Sequence, residues 1–138
     1  MWDTLILREK EIVKIQKMIE EFTLRSGVYS AVLSTLSGQL IASSGFKDTF
    51  SLLAISALLA GVFQSTKELA RIVGEKGFKV FYQEGKKWHI YYALLENEFF
   101  LAAFFDDRTI LGIVDVQMKK FSRKFKTFIG ELYDRTES

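Results

Sequence analysis

FSLLAISALLAGVFQSTKELARIV, residues 50–73, is the stretch whose reading decides the fold of this chain. At ~3.6 residues per turn, Ile55, Leu58, Leu59, Val62, Leu69 and Val73 fall on one broad apolar face. An ordinary surface helix would be polar opposite that face. Here the opposite side reads Leu53, Ala57, Ala60, Gly61, Gln64, Lys67, Glu68 and Arg71, small and apolar in its first half and polar in its second. The first face is expected to bind a sheet of the same chain through Ile55, Val62 and Leu69. Ala54, Ala57, Ala60 and Gly61 would let another backbone approach closely, so this helix asks for a second packing partner.

Composition bounds the possibilities. A chain of 138 residues suffices for one domain with its own core, and residues 1–138 read as a single unit, with an N-terminal helix over 1–26 and the body over 27–135. Hydrophobic residues at 49% and charged residues at 26% place it among globular proteins. Thirteen phenylalanines imply a large aromatic core, or apolar surface reserved for assembly. A net charge of +2 gives no argument for nucleic acid. The lack of cysteine excludes disulfides, thiolate metal sites and a cysteine nucleophile, and the single histidine, His89, excludes a multi-histidine metal site. The opening MWDTLILREKEIVK turns charged within about ten residues, unlike a secretory signal. The longest apolar run, residues 52–63, falls short of the ~20 residues a membrane span needs. The expectation is a cytoplasmic protein with no cofactor and no integral membrane association.

Before the long helix, Asp3 or Thr4 can cap a first helix running to about residue 25, with Leu5, Ile12, Ile15, Ile19 and Phe22 as its apolar stripe. Gly27 suits the left-handed position that follows a helix. Residues 28–36 and 39–44 read as strands joined by Ser37-Gly38, a β-hairpin, and Asp48 or Thr49 as the cap of the long helix. After it come three strands, 78–83, 87–95 and 99–106, connected tightly enough for an antiparallel meander. FFLAAFF, residues 99–105, is apolar at every position, so this strand must be covered on both faces and sit centrally. Residues 78–83 mix polar and aromatic side chains as an edge strand would, and a bare aromatic edge is an aggregation hazard that pairing with a copy of itself removes. A last helix over about 110–133 carries Val114, Met118, Phe121, Phe125, Phe128, Ile129 and Leu132 on one stripe. The fold class is therefore α+β, a five-stranded antiparallel sheet with the long helix on one face and the N- and C-terminal helices on the other.

Catalytic constellations are hard to assemble from these residues. His89 lies inside a strand with no nucleophile pattern near it and reads as a packed histidine. Asp106 and Asp107 read as a turn and helix cap, lacking the ligand spacing of a calcium loop. Glu20 and Glu21 are adjacent on a helix and do not face each other. The serine/glycine stretch at Ser43-Ser44-Gly45 lacks the spacing of a phosphate-binding P-loop. Lys119, Lys120, Arg123, Lys124 and Lys126 form a basic cluster with three readings: a solvated face, an anionic membrane surface, or a docking patch for an acidic protein surface.

The order helix, hairpin, long apolar helix, meander, helix resembles the Roadblock dynein light-chain family. GVYSAVLSTLSGQLIASSG, residues 27–45, is similar to the family's opening hairpin. LLAISALLAGVFQSTKELARIVG, residues 52–74, is similar to its long alanine/leucine helix with a mid-helix glycine. FFLAAFFDDRTILGIVDVQMKKF, residues 99–121, is similar to its last strand, aspartate turn and basic closing helix. The charged first helix is similar to bacterial MglB-like members. Leu36-Ser37 replaces the usual acidic residue of the first turn, a departure within a variable loop.

The resemblance implies a homodimer in which the strand after the long helix pairs with its twin and the two long helices pack together. It also implies a non-enzymatic regulator that binds a small Ras-like GTPase of the MglA type over those helices and stimulates its GTP hydrolysis, in cell polarity or motility. The expected dimer interface comprises Leu53, Ala57, Ala60, Gly61, Phe78, Val80, Phe81 and Tyr82. The expected GTPase-binding residues are Gln64, Lys67, Glu68 and Arg71. Two other classes stand beside this reading: a structural Roadblock adaptor within a larger complex, and a small-ligand sensor of the PAS or GAF type, which needs a cavity between sheet and helix.

Overall fold

In the computed structural model the described residues are 8–46 and 49–137. Helix α1 (Glu9–Ser26) leads into strands β1 (Ser30–Thr35) and β2 (Leu40–Ser44). Helices α2 (Thr49–Ser65) and α3 (Lys67–Ile72) follow, then β3 (Val80–Glu84), β4 (His89–Leu95), a single 3-10 turn at Glu96–Glu98, β5 (Phe99–Phe105) and helix α4 (Leu111–Glu137). The five strands form one antiparallel sheet in the order β2-β1-β5-β4-β3. β5 lies at its centre, as FFLAAFF requires, with every residue but Phe104 buried. β3 lies at an edge, and its pairing with β4 extends one residue before the strand, where the Leu94 N–H donates to the Lys79 carbonyl at 2.7 Å.

Alternation along β5 divides the core. Phe99, Leu101, Ala103 and Phe105 point to the face covered by α1 and α4, and Phe100 and Ala102 to the face covered by α2. The α4 stripe read from the sequence is buried in full, from Val114 to Leu132. On α1 the buried stripe is Glu11, Ile15, Ile19, Phe22 and Ser26. Ile12 is 51% exposed, because a stripe through 15, 19 and 22 leaves position 12 to one side. The helix starts at Glu9, where the Glu11 carboxylate accepts the Arg8 backbone N–H at 3.1 Å, half of a capping box. Asp3, Thr4 and Leu5 lie outside the described residues, as does Asp48, and Thr49 is the first residue of α2. Gly27 takes the left-handed position after α1, at φ 75°, and the Thr109 hydroxyl donates to the Ser26 carbonyl at 2.7 Å, fastening that end to the turn before α4.

The β1–β2 hairpin turns at Ser37-Gly38, with Gly38 at φ 91° and its N–H donating to the Thr35 carbonyl at 2.9 Å. A Cβ on Gly38 would stand 3.3 Å from the Ala57 Cα, so the turn packs against the backbone of α2.

The long helix differs most from its sequence reading. It is distorted at Thr66, whose backbone sits at φ −92°, ψ −1° and whose hydroxyl donates to the carbonyls of Val62 at 3.0 Å and Phe63 at 3.2 Å, while the Thr66 N–H still donates to Val62 at 3.2 Å and the Ala70 N–H to Thr66 at 3.0 Å. The side facing the sheet consists of buried Leu52, Ser56, Leu59, Ala60 and Phe63 with half-buried Ile55 and Val62. Leu58, Leu69 and Val73, expected on that face, are 71%, 52% and 58% exposed. The wheel centred on Ile55 and Val62 is rotated away from the true stripe, which follows 52, 56, 59 and 63.

Candidate assembly surface

α2 and α3 leave a continuous apolar strip turned away from the sheet. Ala54, Leu58, Gly61, Ser65, Leu69 and Ile72 recur at spacings of three and four, and all are exposed. Leu53 (52% exposed) and Val73 widen it. The stripe under the same helix holds Ser56, which is fully buried with no hydrogen-bond partner for its hydroxyl among the described residues. With Leu52, Leu59 and Phe63 inside and leucines outside as well, the helix lacks the polar outer side of an ordinary surface helix. The 22 residues Ser51–Ile72 are long and apolar enough to cross a membrane by length and composition, although the sequence reading expected otherwise. In this fold they lie along the sheet as one of its helical layers.

The residues expected at a dimer interface divide into two groups. Leu53, Ala57 and Gly61 are exposed, with Gly61 open on its outer side. Ala60 is only 4% exposed and belongs to the core cluster with Leu59 and Phe63, because it lies on the sheet-facing stripe; its place on an outward seam is corrected. Ala57, though exposed, is already approached by the Gly38 turn of its own chain. Along β3, Val80 (52%) and Tyr82 (38%) are exposed, whereas Phe81 stacks on Tyr92 at 5.2 Å and meets Phe63 edge-on at 5.0 Å. Phe81 thus serves the core, and what β3 offers outward is its backbone edge with the side chains of Val80 and Tyr82. Phe78 is half-buried just before the strand.

Gln64, Lys67, Glu68 and Arg71 are all exposed at the junction of α2 and α3. Glu68 and Arg71 are committed to each other: Arg71 Nε donates to the two carboxylate oxygens at 3.1 and 3.0 Å, and its Nη2 to Oε1. This hydrogen bonding holds the Glu68 carboxyl below the usual range and raises the Arg71 guanidinium. Lys67 is left as the cation of that corner without an ion pair among the described residues. The residues missed in sequence are Leu58, Leu69, Ile72 and Val73, whose three-and-four spacing with Gly61 and Ser65 marked an outward strip.

Elsewhere the polar groups have structural roles. Asp106 accepts the Arg108 backbone N–H at 3.1 Å and its Nε at 2.9 Å, as a turn residue does. His89 packs against Phe105 with ring centroids 5.4 Å apart, its Nε2 3.5 Å from Asp107. Between α2 and the sheet, Phe63 meets Tyr92 at 5.7 Å and Phe100 at 5.3 Å, so rings fill the space a ligand sensor would need.

The comparisons with known proteins agree with this geometry. A family model for the Roadblock/LC7 domain matches residues 14–105. Among solved structures, MglB of Myxococcus xanthus is similar at 29% identity and a TM-score of 0.84, over 93% of this chain and 96% of that one. The gliding protein MglB of Thermus thermophilus is similar at 23% identity and a TM-score of 0.83, over 92% and 96%. Profilin II of Acanthamoeba castellanii shares the layering more distantly, at 16% identity and a TM-score of 0.59 over 80% and 94%. No curated protein matches the chain. With the family model spanning both edges of the sheet and α2 between them, the chain belongs to the Roadblock/LC7 family, and its structure is similar to MglB.

Proposed function

We propose that this protein is a cytoplasmic homodimer that serves as a platform for a small Ras-like GTPase of the MglA type and stimulates its GTP hydrolysis without an active site of its own. One observation carries the reading: the outward strip of α2 and α3, Leu53, Leu58, Leu69, Ile72 and Val73, is apolar and uncovered in a chain whose relative by structure is MglB. Contiguous apolar surface of this kind marks an interaction site. The open edge of β3 supports pairing with a second copy, since a bare strand edge is a template for another strand. In the polar corner, where Glu68 and Arg71 are paired with each other, Gln64 and Lys67 then supply hydrogen bonding and charge beside the seam, where complementarity governs the choice of partner.

Two measurements test this. Multi-angle light scattering should give twice the mass of one chain, and a monomer at micromolar concentration would end the homodimer reading. Adding the protein to GTP-loaded Ras-like GTPases encoded in the same genome should accelerate hydrolysis of one of them. Neither binding nor acceleration with any of them would leave the adaptor reading in its place.

A further inference from the structure

On the opposite side of the sheet from the α2 strip, α1 and α4 run together and leave a cleft of about 220 Å³ between them. Its floor is apolar: Met18 and Phe22 from α1 and Phe121 from α4, the two rings meeting edge-on at 5.9 Å. Its rim is basic, with Arg25, Lys120 and Lys124 around a single carboxylate, Glu21. Glu21 accepts from Lys124 at 2.9 Å and pairs with Arg25 at 3.0 Å. Those contacts, Lys124 first, hold its carboxyl below the usual range, so it stays ionised and neutralises one cation of three. Lys120 makes no ion pair among the described residues. Residues 116–130 hold five cations and no acid in a chain whose net charge is only +2, so the positive charge is gathered on this side.

We propose that this cleft is a docking site for an acidic segment of a partner protein, which sets one apolar side chain on the Phe22–Phe121 floor and its carboxylates against Lys120, Lys124 and Arg25. Charge complementarity selects such a segment, and the recessed floor gives it an anchor. A lipid surface fits less well. Phe121, Phe125 and Phe128, which alternate with the lysines in sequence, are turned into the core and have no ring free to insert. The site is independent of the α2 strip, because the sheet lies between them.

The test uses the full-length protein and a fluorescein-labelled peptide of aspartates and glutamates around one central leucine, followed by anisotropy. Saturable binding is expected, falling with salt, with amide shifts at Met18, Phe22 and Phe121. Lys120→Glu should weaken it about tenfold or more. Lys126→Glu, on α4 but outside the cleft, should leave it nearly unchanged, and circular dichroism should show both exposed-site variants folded. Exchanging the peptide's leucine for serine should weaken it several-fold. Absence of saturable binding, equal loss from both charge variants, indifference to the leucine, or capture by phosphatidylserine vesicles in place of the peptide would overturn the proposal.

Discussion

α1 and α4 close one face of the sheet while α2, continued by the short α3, lies on the other, and the cores beneath them differ accordingly. Under α1 and α4, twenty buried hydrophobic residues form one cluster among the described residues, whereas the cluster under α2 has six. Both helical layers are rich in apolar residues, yet α4 turns its phenylalanines inward and lysines outward, while α2 is apolar on both sides. The closed face stores the stability of the single chain. The open face keeps apolar area uncovered that could only gain from association. Hydrophobic content alone does not separate these roles; direction does.

The sharpest way to break the comparison is to remove a ring from the closed face. Phe125 is fully buried against Phe99 and Phe121, and Phe125→Ala should cost about 3–5 kcal/mol of folding stability by chemical denaturation. Next comes the open face. Leu58 is 71% exposed, so Leu58→Asp should shift folding stability by less than ~0.5 kcal/mol. It should raise the dissociation constant of the proposed dimer about a hundredfold, ~2.7 kcal/mol, by sedimentation. Loss of folding with intact association would reverse the assignment of the two faces.

A smaller effect joins β4 to α4, where the Tyr91 hydroxyl donates to Asp115 and Lys119 pairs with the same carboxylate at 2.9 Å. Tyr91→Phe should cost about 1.5 kcal/mol, as for a hydrogen bond to a charged group. The Tyr91 hydrogen bond, then Lys119, holds the Asp115 carboxyl below its ordinary value. The unfolded chain therefore binds the proton first as acid is added. This contribution is fully present above the ordinary aspartate range and is lost as pH falls through the lowered folded value. Tyr91→Phe should flatten that acid limb in pH-dependent denaturation. Smallest is Ser56→Ala: removing a buried hydroxyl without a partner among the described residues should stabilise the chain, by under ~1 kcal/mol in thermal melts.

The sheet was legible because its signals were local and redundant. FFLAAFF required a central strand, the aromatic-polar mixture after residue 78 an edge, and the α4 stripe from Val114 to Leu132 needed only its three-and-four spacing. α2 was legible as a helix but not in its orientation. A helix apolar all round has no polar side to point at water, so Leu58 and Leu69 were assigned inward while Phe63, the ring that fills the space over Tyr92, was passed over. Thr66 gave no warning either, since the distortion there comes with a hydroxyl turned back on Val62 and Phe63, with neither proline nor glycine at the position. Ala60 followed the same misplacement, and it is buried in the cluster between α2 and the sheet. The pairing of Glu68 with Arg71 was present in their i, i+3 spacing, and it removes both from the supply of free charge.

The contact between the Gly38 turn and the Ala57 backbone bears on how this surface can change over generations. α2 is seated there by main chain meeting main chain, at a point where neither partner contributes a long side chain. Substitutions along its outer strip do not touch this contact, so they are expected to change the surface the helix presents and not its seat on the turn. An insertion in the Ser37-Gly38 turn would do the opposite, lifting the helix and moving every outward residue at once.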